Sequence, residues 1–170
     1  EKRWAESHDA WLAGLPEEWR SLDGLVYDGG FEGERHNTGF DWFFTKNGQI
    51  NIQQSNTFGM DGKRALRISF NNSKHVNFQH LWQRLVLKPA DYSLTFRFRA
   101  DGLRSNKGLQ WRIYCVDNNQ SLAESTPLEQ GHSLWSNSAV DFTIPPDNCP
   151  AQMLRLEASS RYAHDQVFDG

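Results

Sequence analysis

The chain has 170 residues, a formal net charge of −3 and a sequence pI near 6.1, and this length fits one domain whose core needs neither metal nor disulfide support. The sequence contains no block of Lys and Arg residues, so we expect no nucleic-acid or anionic-lipid partner. No apolar stretch approaches the roughly 20 residues of a membrane helix. Seven Trp, eleven Phe and four Tyr residues exceed what a small core requires, which predicts aromatic rings on the surface.

The first element along the chain is a predicted helix at residues 3–13, which ends near Gly14 and Pro16. Its apolar stripe, at spacings of three and four, consists of Trp4, Ala5, His8, Trp11 and Leu12. A polar segment follows, and the pattern changes near residue 22. We therefore predict two parts: residues 1–22, a helix and connector that contribute little to the rest, and residues 23–170, the main domain.

From residue 25 onward, short apolar or alternating segments are separated by Gly, Asn, Asp and Pro, which is typical of strands and turns. The predicted strands are residues 25–31, 40–44, 49–55, 64–70, 78–87, 92–100, 109–116, 138–144 and 152–158. No second helix is predicted to connect parallel strands. The sequence therefore predicts an all-β fold, an antiparallel β-sandwich of the jelly-roll type preceded by one short N-terminal helix.

Alternation assigns one face of each strand to the core and leaves the other face wet. Two of these segments, 64–70 and 92–100, have predicted core positions at Leu66, Ile68, Phe70, Tyr92, Leu94, Phe96 and Phe98. The side chains left on the wet faces of 92–100 and 109–116 include Arg97, Arg99, Gln110, Arg112 and Tyr114. We expect these two segments to be neighbours, so that the five side chains form the floor of a ligand site.

A floor of this kind suits a carbohydrate. Guanidinium and amide groups can each make two directed hydrogen bonds to adjacent hydroxyls, and an aromatic ring can cover the C–H face of a sugar. Residues 78–87 add Gln79 and Gln83 to this face. They also add Trp82 or Arg84, because large apolar residues occur at both odd and even positions of this segment and leave its core face ambiguous. The alternative is a solvated sheet face whose arginines pair with Asp and Glu.

Asp41 stands among aromatic residues, and two interpretations remain open. In the first, Asp41 and Trp42 lie at the edge of the floor and both reach a ligand, because the strand bends at Gly39. In the second, Trp42 lies in the core and Asp41 pairs with one of the floor arginines. If the floor does not bind, Trp135 and its loop are the next candidate.

The two cysteines, Cys115 and Cys149, show neither a CxxC motif nor the His spacing of a zinc site. We expect them to be close in space, because one lies in a predicted strand and the other immediately precedes another. One disulfide or two buried thiols would both satisfy this pattern. An exported protein is compatible with either.

The run DGGFE at residues 28–32 precedes Trp42, and the run QRLVLKPADYSLTF follows at residues 83–96. In this order, the segments from residue 25 to residue 158 resemble the jelly-roll carbohydrate-binding modules of families 4, 9 and 22. Such modules open with an Asn-Gly-Asp-Phe-Glu type segment before a Trp and continue with a Gln followed by L.L.P..Y.L.F. Ala90 departs from this pattern, which has Gly after the Pro.

The resemblance implies a non-catalytic, galactose-binding-like β-sandwich whose partner is an oligosaccharide or polysaccharide. It also implies one structural calcium near the opening run, for which Asp28, Glu32 and Asp169 are candidate ligands; we expect no other cofactor. The N-terminal helix resembles the end of a longer α-helical protein. We therefore expect an appendage of a larger extracytoplasmic bacterial protein, periplasmic or secreted, in a polysaccharide system, with contacts to other regions of that chain.

Two other functions remain as alternatives. A protein-interaction domain of a cell-envelope assembly would use the same aromatic face against a peptide or partner chain. A glycan-processing enzyme would need two carboxylates facing one cleft, and the sequence does not pair any two of the scattered acids Asp41, Glu124, Asp141 and Glu157. Ser121 and Ser136 lack the G-x-S-x-G turn of a nucleophile. We therefore do not expect an enzyme.

Overall fold

The computed structural model describes residues 3–45, 48, 50–55, 63–70, 78, 81–100, 108–128 and 134–158. Within these residues two helices, α1 (Trp4–Ala13) and α2 (Glu17–Arg20), precede nine strands. The strands are β1 (Phe43–Phe44), β2 (Ile50–Ser55), β3 (Ala65–Phe70), β4 (Leu81–Leu85), β5 (Asp91–Phe98), β6 (Leu109–Cys115), β7 (Ser121–Glu124), β8 (Ser136–Thr143) and β9 (Gln152–Ala158).

The strands of the described segments form three antiparallel sheets. The largest has the order β1-β4-β9-β6-β7, and the other two are the pairs β2–β3 and β5–β8. All three sheets contribute inward-facing side chains to one core, for example Leu154, Ile52 and Phe142. The predicted all-β antiparallel sandwich is confirmed.

The alternation argument holds for β3 and β5. Five of the seven predicted core residues pack against the buried cluster: Leu66, Ile68, Phe70, Tyr92 and Leu94. The other two, Phe96 and Phe98, are half-buried. On the opposite face of β5, Ser93, Thr95 and Arg97 are exposed. In these two strands, the exposed positions are therefore occupied by polar residues, as the alternation predicted.

Residues 25–31, predicted to be a strand, form turns instead. Asp28 and Phe31 have φ values of 44° and 56°, in a left-handed region that an extended strand cannot use. The Asp28 carboxylate accepts the backbone N–H groups of Glu32 at 2.7 Å and Gly33 at 3.0 Å, which satisfies the turn. Within residues 40–44 only β1 is extended, and β7 and α2 have no counterpart among the predicted elements.

Helix α1 packs on the loops that precede β1. The Trp11 ring lies 5.0 Å from that of Tyr27 and 5.8 Å from that of Phe40, measured between centroids. A Cβ atom at Gly39, where φ is 58°, would lie 2.3 Å from Trp11 Cδ1, so this close approach requires glycine. The independence of residues 1–22 stays a prediction, and these contacts argue against it. Neither helix of the described chain is long and apolar enough to cross a membrane.

Cys115 at the end of β6 and Cys149 before β9 form a disulfide, with their Cα atoms 5.1 Å apart. Their predicted proximity is confirmed, and the bridge resolves the alternative of two free thiols. It joins the end of β6 to the segment that leads into β9, its neighbour in the five-stranded sheet.

Candidate functional site

The outer face of the five-stranded sheet carries the residues that alternate with the core positions. One row of this face crosses all five strands, because the register pairs Phe43 with Trp82, Trp82 with Arg155, Arg155 with Arg112, and Arg112 with Glu124. Neighbouring strands lie about 4.8 Å apart, so the row is continuous. We call these five residues the crosswise row.

Aromatic side chains occupy one end of the row. The Phe43 and Trp82 rings stack in parallel, with centroids 4.1 Å apart and an interplanar angle of 1°. The guanidinium of Arg84 lies 5.1 Å from the Trp82 ring, within cation–π range. Phe43 and Trp82 are both partly exposed. Because strand side chains stand roughly perpendicular to the sheet, this stack presents apolar surface beside the polar part of the row.

The middle of the row is charged and ordered. Arg155 Nε donates to Glu157 Oε2 at 2.9 Å, and Arg155 Nη2 lies 2.9 Å from the same oxygen. The Tyr114 ring lies 4.8 Å from the guanidinium of Arg112 and 5.3 Å from that of Arg155. Tyr114 thus supports two guanidinium groups, and Glu157 on β9 also holds that of Arg155 in place.

Arg112 is the least satisfied of these groups. Its Nη1 lies 3.8 Å from Glu157 Oε1 and its Nε lies 4.0 Å from Glu124 Oε1, both longer than a hydrogen bond. The Nε atom is buried and has no hydrogen-bond partner. The Arg112 side chain is 26% exposed, so a ligand on this face can reach it.

The structure brings together some of the predicted site residues and separates others. Arg112 and Tyr114 lie on the outer face of the five-stranded sheet, and Gln110 is buried beside them on β6. Arg97 lies in β5 and Arg99 just beyond it, and β5 pairs with β8 in another sheet. The expectation that these two segments are neighbours is therefore wrong, and the predicted five-residue floor does not exist.

Trp135 is not part of the crosswise row. It directly precedes β8, and the guanidinium of Arg99 is 5.7 Å from its ring. Arg99 and Trp135 thus form a separate pair beside the β5–β8 sheet. A ligand-binding role for either residue stays a prediction.

Asp41 and Trp42 are both buried, with 2% and 3% of their surfaces exposed, so their predicted position at the rim of an exposed face is wrong. Trp42 Nε1 donates to Asp28 O at 3.1 Å, and the ring lies 5.9 Å from that of Trp111. Of the second interpretation, the position of Trp42 in the core is confirmed. Alternation fails here because the Asp41 N–H closes a turn onto Thr38 O before the strand begins.

The Asp41 carboxylate pairs with backbone, not with an arginine of the predicted floor. It accepts the N–H groups of His36 and Trp42, each at 2.7 Å. Burial raises the pKa of Asp41, although these two hydrogen bonds and the neighbouring Arg35 act in the opposite direction. Asp41 therefore organises the loop before β1 from inside the protein.

Sequence reasoning did not assign a binding role to Phe43, Arg155 or Glu157, although the signal was present. In residues 152–158, alternation places Leu154 and Leu156 inward and leaves Arg155 and Glu157 outward. The acids of β7 and β9 also share a face, on either side of Arg112. The sequence did not pair these acids, because their proximity depends on β6 pairing with both β7 and β9.

The opening run, at residues 28–32, is where the sequence resemblance implies a calcium ion. Two backbone carbonyls that could ligate a cation, Phe31 O and Gly33 O, accept hydrogen bonds from Gln54 Nε2 at 2.9 and 3.1 Å. Arg64 Nη1 donates to Glu32 O at 3.2 Å. Nitrogen donors, one of them cationic, thus already bind these carbonyl oxygens.

The candidate carboxylates are engaged in the same way. The two oxygens of Asp28 accept N–H groups within the turn, and the Glu32 carboxylate accepts the Arg64 N–H at 3.2 and 3.3 Å. Among the described residues, no three His, Cys, Asp or Glu side chains cluster as metal ligands do. Asp169 lies outside the described residues. Since calcium takes six to eight oxygen ligands, the donors that the described residues supply do not fit it.

Solved structures of carbohydrate-binding modules share this fold. The CBM22-1 xylan-binding domain from Paenibacillus barcinonensis Xyn10C matches with a TM-score of 0.50 and 13% identity, over 77% of this chain and 81% of that chain. A CBM4 structure matches with a TM-score of 0.53 and 15% identity, over 79% of this chain and 89% of that chain. No family model and no curated protein matches the chain. At these identities the likeness shows the fold, which is the jelly roll that the sequence resemblance implies.

Proposed function

We propose that the outer face of the five-stranded sheet binds an oligosaccharide or polysaccharide chain without changing it chemically. The observation that carries this proposal is the crosswise row, in which the Phe43–Trp82 stack adjoins the guanidinium groups of Arg155 and Arg112. The likeness of the fold to a xylan-binding domain supports the same function.

The row supplies both kinds of contact that a sugar needs. The C–H faces of a pyranose are apolar and pack against aromatic rings, while its hydroxyls accept and donate directed hydrogen bonds. Arg155 and Glu157 hold each other in one geometry before any ligand arrives. A site ordered in advance loses less side-chain entropy when it binds.

The contacts of Glu157 and Glu124, the two acids of this face, favour binding without catalysis. The Glu157 carboxylate is held by Arg155 at 2.9 Å, and the Glu124 carboxylate lies 4.0 Å from Arg112. Glycoside hydrolysis needs one acid that keeps its proton and another that acts as a base or nucleophile. Because Glu157 is engaged in the ion pair with Arg155, Glu157 and Glu124 do not supply a pair of free carboxyl groups.

The proposal extends to the location of the protein. The Cys115–Cys149 disulfide is of the kind that forms and persists outside the cytosol. We place the chain in an extracytoplasmic setting, as a module of a larger bacterial protein in a polysaccharide system. Mass spectrometry of the protein from a non-reducing preparation of its native compartment tests both points.

Titration with neutral xylan, mixed β-glucan and uronate oligosaccharides, followed by tryptophan fluorescence, tests the binding. We expect one sugar class to bind and Trp82→Ala to weaken it by about 1 to 2 kcal/mol, roughly ten-fold or more, since the apolar surface is lost. Trp135→Ala is the matched control and leaves the affinity unchanged. Loss of binding in Trp135→Ala but not in Trp82→Ala would move the site, and no binding by any sugar would favour the protein-interaction alternative.

A further inference from the structure

We propose that the chain bound by this face carries carboxylate groups, as in a polysaccharide containing uronic acids, and that Arg112 is the residue that binds them. The inference rests on the proposed function and names the ligand class for the same site. It is carried by the charge and the hydrogen-bonding state of the crosswise row.

Arg112 has hydrogen-bonding capacity that the protein does not use. Both acids near it, Glu124 and Glu157, lie at 3.8 to 4.0 Å, beyond hydrogen-bonding distance. The Nε atom is buried, so the terminal nitrogens of this 26%-exposed side chain are the ones that a ligand can reach. A guanidinium presents its N–H groups as a rigid planar fork whose geometry matches a carboxylate in two parallel hydrogen bonds. The position therefore suits an external carboxylate better than a single hydroxyl.

The charges of this face also favour an anionic ligand. Among the described residues of the five strands, this outer face carries three cations, Arg84, Arg112 and Arg155, and two acids, Glu124 and Glu157. Their sum is positive, on a chain whose overall net charge is −3. Glu157 is committed to Arg155 through the contacts at 2.9 Å. A site of opposite sign to the rest of the protein favours an anionic ligand.

Glu124 does not block this use of Arg112. It lies on β7, the last strand of the sheet order, and its side chain is 41% exposed. At 4.0 Å it forms no hydrogen bond with Arg112, so little holds it in place when a ligand carboxylate arrives. Glu157 is less exposed, at 14%, and stays with Arg155.

The test pairs each acidic sugar with its neutral counterpart. Oligogalacturonate, alginate and hyaluronan oligosaccharides are each compared with the same oligosaccharide after chemical reduction of its carboxyl groups. We expect at least one acidic form to bind about ten-fold or more tightly than its reduced form at low salt, because hydrogen bonds to charged groups are the stronger ones. The difference shrinks as salt rises, since exposed charges are screened beyond about 10 Å at 0.1 M.

Variants of Arg112 assign the effect to this residue. Arg112→Gln removes most of the acidic preference, and Arg112→Lys, which keeps the charge but loses the fork, retains part of it. Arg67→Gln is the charge-matched control, because Arg67 is exposed on β3 in another sheet, and it keeps the preference. Unfolding midpoints close to that of the parent protein show that the variants are folded.

The results separate this inference from the proposed function. Equal affinity for acidic and reduced forms, or binding of neutral xylan while no uronate binds, would overturn the acidic preference and leave sugar binding standing. An acidic preference that survives in Arg112→Gln would overturn the assignment to Arg112. No binding by any acidic, reduced or neutral sugar would overturn both proposals.

Discussion

The side-chain amide of Gln83 binds both polar groups of the Tyr27 backbone. Tyr27 N donates to Gln83 Oε1 at 3.1 Å, and Gln83 Nε2 donates to Tyr27 O at 2.8 Å. Gln83 is fully buried in β4. This pair of hydrogen bonds attaches the turns of residues 25–31 to the five-stranded sheet, as a neighbouring strand would otherwise do.

Replacing Gln83 by Leu should therefore destabilise the protein. The change removes both hydrogen bonds and leaves a backbone N–H and C=O buried without partners, at a cost of about 2 to 4 kcal/mol in the free energy of unfolding. Urea unfolding measures this loss. The control Gln120→Leu, at an exposed position, should change stability by no more than about 0.5 kcal/mol, and a similarly small effect of Gln83→Leu would contradict this role.

Tyr27 connects the N-terminal helices to the sandwich and should ionise late. Its hydroxyl donates to Trp19 O at 3.0 Å, and burial, followed by the charges of Asp41, Asp28 and Asp23, raises the pKa of Tyr27 to about 12. Stability from this group is present below the ordinary tyrosine pKa and is lost as the pH rises through the folded value.

An ultraviolet titration of tyrosinate tests this assignment. The parent protein should show one tyrosine with a pKa near 12, and Tyr27→Phe should remove that step. The variant also removes one of the two donors to the Trp19 carbonyl, which keeps the Leu22 N–H at 3.1 Å, and the lost hydrogen bond costs about 1 kcal/mol. A late step that persists in Tyr27→Phe would mean that another tyrosine is the buried one.

The buried carboxyl of Asp41 gives a second pH dependence. Its pKa is raised by burial, so the folded state holds a proton at Asp41 more tightly than the unfolded state does. The stability that Asp41 contributes is therefore greatest below the ordinary Asp pKa and falls as the pH rises through the raised value. The free energy of unfolding of the parent minus that of Asp41→Asn should decrease across this window.

Urea unfolding at a series of acidic to neutral pH values measures that difference. Asp117→Asn, at an exposed position, controls for the change in overall charge. A difference that instead grew with rising pH would show that hydrogen bonds from His36 and Trp42 outweigh burial and hold the pKa below its usual value.

The opening run should be organised by Gln54 and Arg64 without calcium. Gln54 Nε2 binds the carbonyl of Phe31 in the run and that of Gly33 directly after it, so Gln54→Leu should lower the free energy of unfolding by about 1 to 3 kcal/mol. Gln53→Leu is the neighbouring exposed control. Neither added calcium nor a chelator should shift the unfolding midpoint, and a rise of that midpoint with calcium concentration would show a site that the described residues do not reveal.

Local patterns in the sequence predicted the fold class and several strand faces. In β3, β5 and β9, large apolar residues alternate with polar ones. The structure buries Leu154 and Leu156 of β9, and the apolar residues of β3 and β5 are half-buried. The pattern failed where a polar residue is buried for its hydrogen bonds. Gln83 and Gln152 are both fully buried, and Gln152 binds Leu87 N and Cys149 O, at distances of 2.9 and 3.0 Å. In the sequence such glutamines resemble solvent-facing residues, because their burial depends on loops that they bind by hydrogen bonds.

The candidate site was harder to predict, because it depends on which strands pair. The sequence placed β5 beside β6, whereas β5 pairs with β8 and β6 pairs with β9. Pairings between distant segments leave no mark in the periodicity of either strand. The loops before β1 were also missed, since the left-handed backbone at Asp28 and Phe31 replaces the strand that their neighbours suggested.

The central claim is that sugar binds on the crosswise row, and nuclear magnetic resonance observes this directly. Titration with the tightest-binding oligosaccharide of the panel should shift the side-chain N–H signals of Arg112, Arg155 and Trp82, and leave those of Arg99 and Trp135 unchanged. Tyr114→Ala, which removes the ring beneath the two guanidinium groups, should weaken binding by about 1 to 3 kcal/mol while keeping the fold. Shifts confined to Arg99 and Trp135, or no shifts with any sugar, would contradict the account.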